Sequence, residues 1–281
     1  MNILHAGEFR LDYSRPLIMA VVNATPDSFS DGGRHANSTD AVAYALRLSE
    51  EGADILDVGG ESTRPGAAAI DTEVEMRRVL PVIEALARRG LVVSVDTRNP
   101  AVMLAAVAAG AAIINDVAAL QGRGAMEAAA SGNAAVCLMH MQGTPATMQD
   151  APHYDHVTHE VRAFLESRVR ACVAAGITRE RLIIDPGFGF GKSLRHNLQL
   201  LQELEGFSLL GLPVLVGLSR KKMLGQLSGR AVLEREYAGI AASLAAVARG
   251  AKILRVHNVA AMRDALAVWN AIDGDIQHYD A

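Results

Sequence analysis

The chain has 281 residues, half of them hydrophobic, with a formal net charge of −4 and a pI of about 6.1. This length suits a single α/β barrel of roughly 250 residues, and we predict one domain spanning residues 1–281. The weak negative charge and the absence of basic runs at either end argue against binding to nucleic acid or to a membrane surface. No apolar stretch approaches the ~18 residues that a membrane span requires.

Two features of the sequence favour a cytoplasmic location. The first residues are charged and contain no long apolar segment, so they do not resemble a secretory signal. Cys137 and Cys172 have no neighbours at metal-ligand spacing, and we predict that both are buried reduced thiols.

In chain order, residues 1–14 predict a short strand pair that covers the bottom of the domain. Eight short apolar runs follow, and continuous apolar runs are typical of parallel strands that are buried on both faces. The runs are PLIMAVVN (16–23), ADILDVGGE (53–61), LVVSVD (91–96), AAIIND (111–116), AAVCLMH (134–140), RLIID (181–185), PVLVGLSRK (213–221) and KILRVH (252–257).

Alanine-rich stretches with helical character separate these runs. Strands that alternate with helices indicate a parallel sheet, and eight such units predict a closed (β/α)8 barrel, the TIM barrel. Barrel enzymes keep their chemistry at the carboxyl ends of the strands, where the polar residues that end these runs would collect. Helices are predicted over 38–52, 72–89, 100–110, 122–131, 154–175, 195–206, 221–228, 234–250 and 258–272.

Carboxylate and amide side chains end several of the runs, namely Asp57, Asp96, Asn115, Asp116 and Asp185. A lone Asp at a strand end usually caps a helix or forms a turn. Five such residues at equivalent positions favour a binding site for a neutral heterocycle that carries adjacent N–H donors and a carbonyl.

Cationic residues end units two, seven and eight: Arg64, Arg220, Lys221 and Arg255, with His257 beside them. Units seven and eight supply the common phosphate site of barrels. The alternative is that these cations pair with the carboxylates of the mouth.

The glycine-rich segment DPGFGFGKS (185–193) matches neither phosphate-loop pattern. Pro186 stands where a Walker A loop needs glycine, and Lys192 stands where a dinucleotide fingerprint needs one. We predict a tight loop with Phe188 and Phe190 as flat apolar walls near the mouth.

Eight segments of this sequence resemble the dihydropteroate synthase family over roughly residues 16–270. Two loops and six strand ends occur in the family's order. They are VNATPDSFSDGG (22–33), DVGGESTRPGA (57–67), VDTRNP (95–100), INDV (114–117), CLMHMQGTP (137–145), DPGFGFGK (185–192), GLSRK (217–221) and RVHNV (255–259).

The resemblance implies a reaction that joins 4-aminobenzoate to 6-hydroxymethyl-7,8-dihydropterin diphosphate, with release of diphosphate. It also implies Mg²⁺ bound at Asn23, competition by sulfonamides, and a homodimer formed through the late helices. The implied pterin ligands are Asp96, Asn115, Asp185 and Lys221, with Met139 packed under the ring. The implied diphosphate ligands are Thr63, Arg64, Arg255 and His257, and the implied aminobenzoate pocket is lined by Phe29, Pro65, Phe190, Ser219 and Lys221.

The sequence departs from the family pattern at four positions: Arg98, Asn99, Lys222 and Asn258. We expect Asn258 to cap the last helix as the usual Asp would, and none of the four removes an implied site residue. Three other interpretations stay open. They are a barrel aldolase that uses Lys221 as a Schiff base, a pterin-binding methyl-transfer module, and a catalytically silent paralogue.

Overall fold

The computed structural model describes residues 2–25, 34–61, 70–144, 147–148 and 151–273, with the backbone alone over 34–37 and at 273. Eight parallel strands form the centre of the fold. They are β3 (Leu17–Asn23), β4 (Ile55–Gly59), β5 (Val93–Asp96), β6 (Ile113–Asp116), β7 (Ala135–Met139), β8 (Leu182–Asp185), β9 (Val214–Val216) and β10 (Ala251–Val256). The strands close into a barrel in the order β10-β3-β4-β5-β6-β7-β8-β9. The predicted (β/α)8 barrel is confirmed.

The helices follow the predicted order, with shifted ends. The helix predicted over 195–206 ends at Gln202 and continues as a 3₁₀ turn over 204–210, and the first helix begins at Arg34 rather than near Ser38. The helices are α1 (Arg34–Glu50), α2 (Thr72–Ala87), α3 (Pro100–Ala108), α4 (Ala125–Ala130), α5 (Val157–Ala174), α6 (Leu194–Gln202), α7 (Lys222–Ser228), α8 (Glu236–Val247) and α9 (Val259–Asp273). None of the described helices is long and apolar enough to cross a membrane.

Side-chain caps explain where several helices begin. Asp71 accepts a hydrogen bond from the Glu73 N–H at the start of α2, and Asn99 accepts one from the Ala101 N–H at the start of α3. Asn258 accepts from the Ala261 N–H, so the predicted cap of the last helix is confirmed.

An antiparallel hairpin of β1 (Ile3–Ala6) and β2 (Phe9–Asp12) precedes the barrel. Leu4 and Ala6 of this hairpin are buried in an apolar cluster inside the amino end of the barrel. The hairpin therefore closes the bottom of the barrel, as predicted. The larger apolar core lies between the strands and the surrounding helices. The polar side chains at the carboxyl ends of the strands are therefore available to form a site.

Candidate active site

Arg255 on β10 is the centre of the polar cluster at the carboxyl ends of the strands. Its Nε lies 2.7 Å from Asp57 Oδ2 on β4, and its terminal nitrogen lies 2.9 Å from Asp96 Oδ2 on β5. Asn115 on β6 donates to the same Asp57 oxygen over 3.1 Å. The barrel brings these side chains together because β4, β5 and β6 are neighbours, with Asp96 paired in register with Gly59 and Asn115.

Two buried carboxylate oxygens in this cluster have no partner among the described residues: Oδ1 of Asp57 and Oδ1 of Asp96. Asp57 is fully buried and Asp96 is 8% exposed. A buried polar atom without a hydrogen bond costs about 1–3 kcal/mol. The two oxygens are therefore ready acceptors for a ligand that brings N–H donors into the barrel.

Burial also sets the charge state of the cluster. It raises the pKa of Asp96 to about 7, while the positive charge of Arg255 acts in the opposite direction. For Arg255, burial opposes the charge but the carboxylates of Asp57 and Asp96 raise its pKa, so the guanidinium stays protonated.

Asp116 does not belong to the cluster, although the sequence pattern groups it with the mouth carboxylates. Its Oδ1 accepts from the Ala118 N–H and its Oδ2 from the Leu120 N–H, both over 2.8 Å. Asp116 thus holds a turn, the ordinary role of an Asp at a strand end.

Asp185 ends β8, and the loop that follows it is built on its carboxylate. Its Oδ1 accepts from the Gly187 N–H over 2.7 Å, and burial raises its pKa despite that hydrogen bond and the nearby charges of Lys221 and Lys192. Met139, on β7, is buried and paired in register with Asp185. Both residues lie at the mouth, as predicted.

Lys221 lies over the face of Phe190, with its Nζ 4.2 Å from the ring centroid. Burial lowers the pKa of Lys221 to about 8, and the negative charge of Asp185 opposes this shift. A Cβ at position 189 would lie 3.3 Å from Lys221 Cδ, so Gly189 lets the loop come this close to the lysine.

His257 and Ser219 meet where β10 and β9 end, with His257 Nδ1 3.0 Å from Ser219 Oγ. Asn23 ends β3, is half-buried, and is paired in register with Gly59 on β4. The remaining predicted site residues, Phe29, Thr63, Arg64 and Pro65, lie outside the described residues.

Three residues have larger roles than the sequence pattern indicates. The pattern indicates Asp57 only as a candidate acceptor, whereas Asp57 contacts both Arg255 and Asn115. The sequence left His140 without a role and Lys192 only as a mismatch to a motif, yet the two side chains are buried in contact with each other. The burial of a lysine in a glycine-rich loop leaves no signal in a single sequence.

Comparison with known proteins defines the class first. A family model described as pterin binding enzyme matches residues 19–257. The dihydropteroate synthase of Escherichia coli (strain K12) is 50% identical over 269 residues, covering 95% of each chain.

Two solved structures from Xanthomonas albilineans superpose closely on this fold. Dihydropteroate synthase with 4-aminobenzoic acid has a TM-score of 0.92 and 54% identity, and the match covers 98% of this chain and 99% of that one. Dihydropteroate synthase in complex with 7,8-dihydropteroate has a TM-score of 0.88 and 50% identity, with coverage of 97% and 99%. The chain belongs to the dihydropteroate synthase family of pterin binding enzymes.

Proposed function

We propose that this chain condenses 6-hydroxymethyl-7,8-dihydropterin diphosphate with 4-aminobenzoate, releasing diphosphate and forming 7,8-dihydropteroate for folate synthesis. The observation that carries the proposal is the pair of unpartnered, buried oxygens of Asp57 and Asp96 at the mouth of a barrel of this family. A pterin is a flat heterocycle with several N–H donors, which are the partners these acceptors lack.

The pterin is bound deep in the barrel by side chains from five strand ends. Asp185 accepts from the 2-amino group and the adjacent ring N–H, and Lys221 donates to the carbonyl side of the ring. Asp96 and Asn115 contact the ring from the opposite wall, and Met139 packs beneath it. Buried carboxylates also suit the reaction, because the ring becomes positively charged as diphosphate leaves.

The diphosphate lies on the cationic side of the mouth, near Arg255 and His257, with Thr63 and Arg64 closing from the second loop. Cations at this position stabilise the negative charge that builds up on the leaving group. The aromatic amine then attacks the pterin methylene carbon, and the order of events is dissociative.

Mg²⁺ is the proposed cofactor, and the side-chain oxygen of Asn23 at the end of β3 would hold it. A single amide oxygen suits a Mg²⁺ that is shared with a substrate, since Mg²⁺ often takes one or two protein oxygens together with phosphates and water. When bound, the ion would neutralise charge on the diphosphate.

The aminobenzoate lies against Phe190 and Ser219, with Phe29 and Pro65 covering it from the two loops. The ring of Phe190 already supports the Lys221 ammonium from below. Sulfonamides, which share the shape of aminobenzoate, compete for this pocket.

A two-substrate coupling assay tests the function. We expect dihydropteroate and diphosphate only when dihydropterin diphosphate, 4-aminobenzoate and Mg²⁺ are all present, and we expect chelation by EDTA to stop the reaction. An enzyme that yields no dihydropteroate with all three components would rule the proposal out.

The lowered pKa of Lys221 favours one rival function, a Schiff-base aldolase. Borohydride reduction in the presence of carbonyl substrates separates the two. We expect no covalent adduct, because the ammonium of Lys221 is held over the Phe190 ring and close to Asp185. A mass increase on Lys221 would favour the aldolase.

A homodimer is the proposed assembly. Large apolar side chains are exposed on the late helices and the turn between them: Leu227, Leu233, Tyr237, Val268 and Ile272. The helices α7, α8 and α9 adjoin one another in this order, and large apolar side chains exposed on adjoining helices favour an association surface. Sedimentation velocity should show a dimer for the wild type and a monomer for the double variant Leu233→Glu/Tyr237→Glu.

A cytoplasmic location is proposed for the enzyme. It is supported by the two cysteines, Cys137 and Cys172, which are both buried and unbridged. Fractionation of the source cells with a specific antibody would test it, and recovery outside the cytoplasmic fraction would contradict it.

A further inference from the structure

Lys192, at the end of the glycine-rich loop, is almost completely buried at 3% exposure. Its Nζ lies 2.9 Å from the carbonyl oxygens of Gly187 and Phe190 and 3.3 Å from the carbonyl oxygen of His140. The Nδ1 atom of His140 lies 3.0 Å away on the same side. One side chain therefore joins the loop over 186–191 to the end of β7.

Four acceptors surround the Nζ of Lys192, three carbonyl oxygens and the Nδ1 of His140, and they favour an ammonium, which shares its three N–H donors among them. Burial and the charge of Lys192 lower the pKa of His140 to about 3, so its imidazole is neutral and can accept. Burial lowers the pKa of Lys192 to about 7, while the negative charge of Asp185 opposes the shift. The three backbone carbonyls add further support for the charged form.

Close packing of backbone against backbone makes this contact possible. A Cβ at position 187 would lie 1.9 Å from the His140 carbonyl oxygen, and one at position 191 would lie 2.5 Å from the Gln142 carbonyl oxygen. Both glycines have positive φ, 70° and 64°. At these two positions the backbone of the loop thus lies directly on the chain after β7.

Phe190 is the residue of this loop that contacts Lys221 in the candidate active site. Lys192 holds its carbonyl oxygen, and its ring lies 4.2 Å below the ammonium of Lys221. The other described side-chain supports hold different points of the loop. Asp185 accepts from the Gly187 N–H over 2.7 Å, Asn197 accepts from the Gly189 N–H over 2.7 Å, and Tyr154 donates to the Gly191 oxygen over 2.8 Å. Lys192 is thus the side chain that directly fixes the backbone of Phe190 among those described.

We propose that Lys192 is a positioning residue for the aminobenzoate half of the reaction: it clamps the 186–191 loop onto the end of β7 and so holds the Phe190 ring in place beneath Lys221. The inference rests on the proposed function, since it assigns the Phe190 wall to aminobenzoate. Of the proposed pterin ligands, Asp96 and Asn115 lie on β5 and β6, away from the clamp, and the backbone of Asp185 is held by β8 itself. Lys221 contacts the Phe190 ring, so we expect the clamp to affect pterin binding, but less than aminobenzoate binding.

The experiment compares Lys192→Met, which removes the donors, with Lys192→Gln, which keeps an amide donor at nearly the same place. We expect Lys192→Met to raise the KM for aminobenzoate about tenfold, the equivalent of losing one hydrogen bond to a charged group. Lys192→Gln should fall between Met and wild type. The Kd for dihydropterin diphosphate, measured by calorimetry without aminobenzoate, should stay within about threefold of wild type.

Lys252→Met is the matched control, because Lys252 is a half-buried lysine at the opposite, amino end of β10. It should leave the KM for aminobenzoate and the Kd for the pterin substrate unchanged. A double-mutant cycle with Phe190→Leu then tests the route of action. If Lys192 acts through Phe190, Lys192→Met should add little to the KM once Phe190 has been replaced.

The outcomes separate this inference from the proposed function. A wild type that forms no dihydropteroate overturns both. If the wild type forms dihydropteroate, three results would overturn the inference alone. They are an unchanged KM for aminobenzoate in the Lys192 variants, an equal loss of affinity for both substrates, and an additive double-mutant cycle. Failure of both Lys192 variants to fold would likewise overturn it, because the residue would then be needed for the fold as a whole.

Discussion

The two ends of the barrel are formed by the same eight strands but differ in polarity. At the amino end, Leu4 and Ala6 of the hairpin complete an apolar cluster with residues from seven of the strands. At the carboxyl end, Asp57 and Asp96 are also buried, but each keeps one oxygen without a partner among the described residues. The cluster at the amino end contains Leu4, Ala6, Leu17, Met19, Ile55, Ala112, Ile113, Ala135, Cys137, Ile183, Leu215 and Ile253.

The difference shows how one scaffold separates stability from function. Burying apolar surface at the closed end stabilises the fold by roughly 25 cal/mol for each Å². Burying carboxylates at the open end costs free energy, because the ligand that would supply their hydrogen bonds is not yet bound. Substitutions at the two ends should therefore change different measured quantities.

The largest expected effect is on stability, at the closed end. Leu4→Ala should lower the free energy of unfolding by about 3 kcal/mol, because it opens a cavity in a packed cluster. Urea denaturation measures this, and the Kd for the pterin substrate should not change. Leu209→Ala, at a side chain 78% exposed, is the control and should cost no more than about 0.5 kcal/mol.

The next effect is on binding, at the open end. Asp185→Asn should weaken pterin binding about 100-fold by calorimetry, since an amide places a donor where the ring needs an acceptor. Asp116→Asn is the matched control, because Asp116 is buried at the end of β6, two strands away from Asp185, but holds only a turn. Unchanged binding in Asp185→Asn, or an equal loss in both variants, would refute the assignment of Asp185.

A smaller effect concerns pH and the cost of a buried charge. The pKa of Asp96 is about 7 in the fold against 3.8 ordinarily, because of burial. As pH rises, Asp96 loses its proton in the unfolded chain near pH 4 but keeps it in the folded chain until about pH 7. The unfolding free energy therefore falls between these two pH values.

The variant Asp96→Asn removes that titration. Between pH 5 and pH 8, the unfolding free energy of the wild type without ligand should fall by roughly 2 kcal/mol more than that of the variant. Urea denaturation of both proteins at the two pH values provides the comparison. A steeper fall in the variant would show that ionised Asp96, paired with Arg255, stabilises the fold instead.

The smallest effect is at the rim of the open end. Arg98 pairs with Glu61 over 3.1 and 3.3 Å, with the arginine side chain 38% exposed. Partly exposed ion pairs contribute little, so Arg98→Ala should cost less than about 1 kcal/mol of unfolding free energy, and less again in high salt. Arg88→Ala, which breaks an exposed pair with Glu84, is the control. A tenfold rise in the KM for the pterin substrate would show that the pair also supports the substrate-binding loop.

Local patterns in the sequence determined the fold and much of the site. Continuous apolar runs marked every strand of the barrel, and the cap signal at Asn258 marked the start of the last helix, because these patterns depend on neighbours only a few residues away. Asp96, Asn115, Asp185 and Arg255 were found because residues that end parallel strands must converge on one side of a barrel.

Tertiary structure decided how those residues are paired. Only the closed barrel shows that Arg255 bridges Asp57 and Asp96, which lie 198 and 159 positions away along the chain. It also shows that Asp116 stabilises a local turn by accepting from the Ala118 N–H. The burial of Lys192 was likewise invisible, because its partners are backbone carbonyls, which every residue possesses. A single sequence determines which side chains reach the mouth, but hydrogen bonding and desolvation among distant residues decide which of them hold the fold and which stay open for a ligand.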